Sequence, residues 1–366
     1  MHIEIHSSEL KRLVKLTAPA VNGRQPAFAN VELARQGDTV TMRARSDRGV
    51  TVTASARLNG VDFAEEDDSA VLDGEALKRV TAVTGGDAKI HADGAVVSIR
   101  SRHGRTTLQA IPWEMPDTPA VSGQRVTVSS PELAEAIDSV LYAAATDPTR
   151  VILTGVLMQA ADGAGSLVAL DGFQMSLERF RAEGERMEIV IPADTLKILR
   201  AGLTDAGTVT VDTDGKSVRL ETEGLEVTSP LLTGAYLDYN RVLPKESKTR
   251  ALIDTAAFRT LMDGAGSAAG VNSDQRHDLV KLTFGPEGLT VQKNSSTADY
   301  EGSIPCEVSG DGLTIAFSRT YVTNMLAAAK SGTVEVSMNT PTTPMTMTDP
   351  EHRESWLRLA LPVRVQ

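Results

Sequence analysis

The sequence predicts an α+β protein of three similar domains, with helices on one face of antiparallel sheets. Three observations predict it. A strand that runs into a helix recurs with its first core residue at Leu10, Leu133 and Phe258, spacings of 123 and 125 residues. A second helix recurs at similar spacing, and each copy leads through a Gly-containing turn into an alternating strand. Hairpin punctuation fills the intervals, at Gly37-Asp38, Asp93-Gly94, Asp162-Gly163, Asp214-Gly215, Glu287-Gly288 and Asp311-Gly312. A chain of 366 residues also exceeds what one core supports.

The first start is the strand Ile3-Glu-Ile-His6, with Ser7 placed to cap the helix that carries Leu10. The second is Val126-Thr-Val-Ser129, with Ser130 as cap and Pro131 suited to the first turn. The third is Leu252-Ile-Asp-Thr255, with Thr255 before Phe258. The later helices pair Leu77 with Val80, Leu196 with Leu199, and Val322 with Met325, an i, i+3 apolar stripe. Their strands begin at Ala88, Thr208 and Thr333. Six copies of one helix-plus-strands unit, paired, give domains at 1–121, 125–246 and 250–366, separated by polar, turn-forming tracts. Chance recurrence of helix-then-strand order is the competing explanation.

Composition narrows the function. The 41% hydrophobic content is normal for a globular protein, and aromatics are only 4%, so aliphatic side chains and Met build the cores. No apolar run approaches the ~20 residues of a membrane span, and the N-terminus reads as a strand. A single cysteine, Cys306, excludes an intrachain disulfide and fits the cytoplasm. The formal charge of −11 argues against tight nucleic-acid binding. Screening over about 8 Å nevertheless lets a basic surface coexist with an acidic one. Basic residues do recur on the helices: Lys11, Arg12, Lys15, Lys78, Arg79, Lys197, Arg200, Arg319 and Lys330. A solvated helix face explains such charges equally well, and Glu132, Glu135 and Asp138 run against the trend.

Catalytic signatures are missing. The six histidines make no ligand spacing with each other or with Cys306. Asp171-Gly172 reads as a turn, and Gly264-Ala-Gly-Ser-Ala-Ala-Gly270 as a flexible helix end and not a phosphate cradle. No nucleophile, metal or cofactor constellation is expected.

The stretch Thr228-Ser-Pro-Leu-Leu-Thr-Gly-Ala-Tyr-Leu-Asp-Tyr-Asn-Arg-Val-Leu-Pro-Lys245 carries a resemblance. It is similar to the end of the middle domain of the bacterial sliding clamp, the beta subunit of DNA polymerase III. Gly23-Arg-Gln-Pro26, Arg150-Val-Ile-Leu-Thr-Gly155, Leu167-Val-Ala-Leu-Asp-Gly172 and Leu359-Ala-Leu-Pro-Val-Arg364 are similar to other clamp landmarks in the same order. The resemblance covers essentially the whole chain. It departs at Leu170, where clamps usually have Thr, and at Phe173-Gln174-Met175, where many have a small basic cluster ending in Leu. These departures leave a main replicative, an accessory or a phage-borne clamp open.

The resemblance implies a head-to-tail ring dimer, helices lining a channel for double-stranded DNA and sheets outside. It implies no enzyme activity and no cofactor. Its partners would be the DNA polymerase III alpha subunit, other proteins with clamp-binding motifs, and a clamp loader. A peptide groove would be walled by Arg150, Leu153, Leu170, Gly172, Phe173, Met175, Leu237, Arg241 and Val242. Its other side would be Ser318, Tyr321, Thr342, Pro344, Leu359, Leu361, Pro362, Val363 and Arg364. Arg24, Lys78, Lys197 and Arg200 would meet phosphate, and Arg105 and Leu108 would face a partner's Val271, Asp299 and Glu301 equivalents. The alternative is a non-catalytic repeat scaffold that binds proteins without encircling DNA.

Overall fold

A computed structural model describes residues 1–22, 25–58, 68–102, 104–268, 278–296 and 298–363. In chain order the first repeat runs β1 (His2–His6), α1 (Ser7–Thr17), β2 (Asn30–Gln36), β3 (Thr39–Arg45), β4 (Thr51–Arg57), β5 (Asp68–Asp73), α2 (Gly74–Val83), β6 (Asp87–Asp93), β7 (Val96–Ser101) and β8 (Gly104–Gln109). The second runs β9 (Gln124–Ser129), α3 (Ser130–Val140), β10 (Gly155–Ala161), β11 (Ala164–Leu170), β12 (Gln174–Gly184), β13 (Met187–Pro192), α4 (Ala193–Arg200), β14 (Thr208–Thr213), β15 (Ser217–Thr222) and β16 (Leu225–Pro230). The third runs β17 (Thr249–Asp254), α5 (Thr255–Ser267), β18 (Leu279–Gly285), β19 (Gly288–Asn294), β20 (Asp299–Ile304), β21 (Glu307–Gly310), β22 (Leu313–Ser318), α6 (Arg319–Ala327), β23 (Thr333–Met338), β24 (Met345–Thr348) and β25 (Trp356–Ala360). The fold is α+β, and the element order repeats as the spacing predicts.

The helix starts differ from the reading by one residue. His6 and Asp254 supply the caps, accepting from the Ser8 and Ala257 amides at 3.3 and 2.7 Å. Ser7, Ser130 and Thr255 are instead buried first helical residues. Each donates its backbone N–H at 2.9 Å to the Gly carbonyl, of Gly86, Gly207 or Gly332, that precedes the strand after the second helix. The Ser130 and Thr255 hydroxyls donate to the neighbouring Thr204 and Ser331 carbonyls at 2.9 and 2.8 Å. A small hydroxyl residue is used here to tie helix to turn, because a buried hydroxyl needs a partner.

The chain forms two compact units. The first comprises Met1–Ala134 and Ala182–Leu232. One of its sheets has strand order β1-β6-β7-β8. The other runs β5-β2-β3-β4-β16-β15-β14-β9, antiparallel at every step. Helix α1 buries Leu10, Leu13, Val14 and Thr17, the i, i+3, i+4, i+7 stripe, and leaves Lys11 and Lys15 exposed. The second unit comprises Glu135–Arg181 and Thr233–Gln366. It pairs β20-β19-β18-β22 and β10-β11-β12-β25-β24-β23-β17-β21. Phe258, Phe284, Phe317 and Trp356 centre its third-repeat core, each worth about 1.5–3 kcal/mol of burial.

Gly264, in the Gly-rich helix end, has a packing role. A Cβ on Gly264, inside α5, would sit 2.4 Å from the Tyr300 hydroxyl. Only glycine lets β20 lay that ring on the helix.

Asp212, buried in β14, accepts from Arg125 at 2.6 Å and Arg219 at 2.8 Å. Burial pushes its carboxyl up, but the two guanidiniums outweigh that and hold it below the ordinary carboxylate value. A carboxyl depressed on folding adds stability above its unfolded pKa and loses it as pH falls through the folded value. Asp212→Asn is therefore expected to lower stability at neutral pH and flatten its decline on acidification, read from urea midpoints across that range. An unchanged acid limb would show that other carboxylates control it.

Candidate functional site

The predicted groove residues lie in the second unit. Their centre is the turn between β11 and β12. Asp171 accepts from the Phe173 and Gln174 amides at 2.8 and 2.9 Å, and Gln174 Nε2 donates to its other oxygen at 3.0 Å. Asp171-Gly172 is thus a turn, as read. Gly172 has φ +91°, and a Cβ there would approach Arg150 Nη1 to 2.7 Å. Glycine frees Arg150 to donate to the Asp171 carbonyl at 2.9 Å, its guanidinium 5.9 Å from the Phe173 ring centroid.

That turn projects Phe173 outward. Its ring stacks on Tyr321 of α6, centroids 6.5 Å apart and planes 15° from parallel. The chain end crosses the same place: Leu361 N–H donates to the Phe173 carbonyl and Val363 N–H to the Ala316 carbonyl, each at 2.8 Å. The β12–β25 register sets Met175 opposite Leu359, and Met345 opposite Ala360 brings Pro344 to the end where Leu361 leaves the sheet. Leu170, Met175, Ser318 and Leu359 are buried beneath this surface.

The segment after β16 supplies the remaining wall. Tyr236 Oη donates to the Val168 carbonyl at 3.3 Å, and Tyr239 Oη bonds Gln159 at 3.2 Å, fixing the segment on the β10–β11 hairpin. Burial drives the Tyr236 hydroxyl well above its ordinary pKa. Leu237, Arg241 and Val242 are left exposed, with Arg241 tied to Asp238 at 3.0 Å. Among the described residues the exposed large hydrophobics are Val83, Val151, Phe173, Leu237 and Val242. All but Val83 belong to this surface or to the Pro148–Thr154 turn that carries Arg150 and Leu153. Such concentration makes this surface the candidate interaction site, since solvent does not reward exposed apolar groups. Thr342 is exposed in the turn before β24. Arg364, Arg24 and Val271 lie outside the described residues.

Several basic residues named above serve the fold instead. Arg12 donates to the Ser55 carbonyl at 2.6 Å and Arg319 to Asp278 at 2.8 Å. Lys330 bridges Glu135 and Glu178 at 2.6 and 2.9 Å. Of the candidate phosphate contacts, Lys78 is exposed 3.9 Å from Glu75, Lys197 is paired with Asp194 at 2.9 Å, and Arg200 is half-buried. Arg105 and Leu108 sit on β8, and Asp299 and Glu301 on β20, both edge strands in the described structure.

Sequence reading missed one feature under the groove. Arg358, fully buried in β25, donates to Glu178 of β12 at 2.7 Å and lies 4.8 Å from the Trp356 ring centroid. Its signal was its even offset from Trp356 and Ala360, which puts it on their core-facing side.

Two family models match the chain: the central domain of the DNA polymerase III beta subunit over residues 127–238, and its C-terminal domain over 240–364. The chain belongs to the DNA polymerase III beta subunit family. Within that family it is 25% identical to the beta sliding clamp of Streptomyces coelicolor, with 100% of both chains covered. It is 26% identical to that of Bacillus subtilis, over 69% of this chain and 68% of the relative. The crystal structure of the DNA polymerase sliding clamp from Bacillus subtilis superposes with a TM-score of 0.91 at 23% identity, covering 100% of both chains. The beta subunit from Streptococcus pyogenes gives 0.91 at 22%, again over 100% of each. This beta-subunit relative thus keeps the clamp fold at low identity.

Proposed function

We infer that the protein is a DNA sliding clamp, a processivity factor that encircles duplex DNA and tethers a polymerase through a peptide groove. The observation that carries the tethering role is the Phe173–Tyr321 stack, together with the exposed Leu237 and Val242, on the clamp fold. Leu, Val and Pro form the apolar slot, and Arg150 and Tyr321 orient a bound peptide. Nothing in this role requires chemistry. Tethering raises the polymerase's concentration at the template. The organisation proposed is three domains, 1–121, 125–246 and 250–366. The partners proposed are the DNA polymerase III alpha subunit, other clamp-binding proteins and a clamp loader, in the cytoplasm. Among the described residues no helix is long and apolar enough to cross a membrane.

Internal repetition supports ring closure. The third strand after each repeat's first helix pairs with the next repeat's last strand: β4 with β16, and β12 with β25. Among the described residues, the corresponding β20 of the third repeat has an open edge, and the last strand without such a partner is β8. A second copy supplies it, closing a two-fold head-to-tail ring. Arg105 on β8 and Asp299 and Glu301 on β20 have opposite charges. Sedimentation is expected to give a dimer, and Leu108→Asp with Arg105→Glu a monomer. A wild-type monomer at micromolar concentration sinks the closed ring.

Loaded on circular DNA, the protein is expected to resist dilution and leave when the circle is cut, because the link is topological. Phosphate contacts proposed for Arg24, and more weakly for Lys78, Lys197 and Arg200, give weak, salt-sensitive, sequence-blind contact. Loss from intact circles as fast as from linear DNA favours the protein-binding scaffold.

A further inference from the structure

The repeat order places a second groove in the first unit. It has a volume of about 360 Å3 and is lined by Phe28, Trp113 and Pro116, with Arg45, Ser46 and Asp47 at its polar side. Each part occupies the position that builds the Phe173 site one repeat later. The turn Pro26–Phe28 stands where Pro148–Thr154 carries Arg150. The β3–β4 connection stands where β11–β12 carries Phe173, and Ser46 Oγ accepts from the Val50 amide at 3.1 Å as Asp171 accepts from Phe173. Trp113 and Pro116 follow β8 as Tyr236 and Leu237 follow β16. Strand β16 is joined to β4 at Thr51 opposite Thr228, as β25 is joined to β12 at Gln174 opposite Ala360.

We propose that this groove is a second peptide site, taking an extended segment with a large apolar anchor next to an Asp or Glu. The proposal rests on reading the Phe173 site as a peptide groove. Phe28 and Trp113 are half-buried and offer faces for the anchor. Among the described residues no carboxylate forms an ion pair with Arg45, which leaves its guanidinium to an incoming acid. Asp47 is already held by the Asn22 and Gln25 side-chain amides, each at 3.3 Å. A carboxylate in the lining disfavours a nucleic-acid strand, whose phosphates it would repel.

Intrinsic fluorescence separates the outcomes, because Trp356 is 1% exposed while Trp113 lines the groove. The probe is a capped hexapeptide with one aspartate followed by leucine and phenylalanine. It is titrated into the full-length protein and into a Phe173→Ala/Tyr321→Ala variant. Calorimetry is expected to count two peptides per chain in the native protein and one in the variant. The variant is expected to keep a saturable shift of Trp113 emission. Arg45→Gln should weaken the aspartate peptide about tenfold and leave its asparagine counterpart unchanged. One peptide per chain, lost in the double variant without any Trp113 response, overturns the second groove and leaves the Phe173 site standing. Two per chain in both proteins overturns the Phe173 site while Trp113 still reports its own. A Trp113 response to a ten-residue oligothymidine but not to the peptide overturns the assignment in favour of single-stranded DNA. No response to either probe overturns it outright.

Discussion

Arg358→Ala is expected to cost about 3–5 kcal/mol, the range for removing one member of a buried ion pair. Against a typical total of about 5–15 kcal/mol, that unseats β25. Three losses combine. Glu178, buried in β12, loses its 2.7 Å partner and, among the described residues, keeps Lys330 at 2.9 Å. The Leu177 carbonyl loses its Arg358 donor, and Trp356 loses the cation held 4.8 Å from its ring. The neighbouring hydrogen bond from Ser176 to the Ser139 carbonyl, at 2.7 Å, stiffens the same face. The consequence for function is direct, because the β12–β25 ladder sets where Leu359 and Leu361 stand relative to Phe173. Unfolding followed by Trp356 emission should shift to lower urea, and peptide binding should fail with it. Glu178→Gln combined with Arg358→Met should recover much of the stability, since the buried carboxylate left with a single, half-exposed partner, and not the lost pair itself, dominates the cost. A loss under about 1 kcal/mol for Arg358→Ala would place the pair with solvent-exposed bridges and reject this account.

Deleting residues 361–366 is expected to reduce peptide affinity at least about 100-fold while leaving the dimer intact. Leu361 and Val363 each fix the chain end by a 2.8 Å backbone bond, one to the Phe173 carbonyl. Their removal strips apolar wall from the slot and releases the carbonyl of the residue that stacks on Tyr321. A lost apolar contact of this size is worth about 1.5–3 kcal/mol, and two exceed the 2.8 kcal/mol that 100-fold represents. The edges β8 and β20 are built from other residues, so sedimentation should not change. Unchanged affinity for a polymerase-derived peptide would move the site elsewhere.

The order of elements was legible in the chain because helix and strand periodicity are local. Leu10, Leu133 and Phe258, 123 and 125 residues apart, specify three helix starts whatever surrounds them, and five of the six Gly-containing pairs mark hairpins. Asp311-Gly312 instead joins β21 to β22, which pair in different sheets. The candidate groove was suggested only through resemblance: no pattern in Asp171-Gly-Phe-Gln174 says that its ring will meet Tyr321, about 150 residues away. Tertiary structure alone decided which charges are spent. Arg12, Arg319 and Lys330 look like helix-surface cations in sequence, yet each finds a carbonyl or carboxylate from a distant segment. It also turned Ser7, Ser130 and Thr255 from caps into buried ties, and made Gly264 the seat of Tyr300. The reason is common to all of them. Periodicity fixes the face on which a side chain lies, but the partner of a buried polar group is set by which segments the sheets bring together.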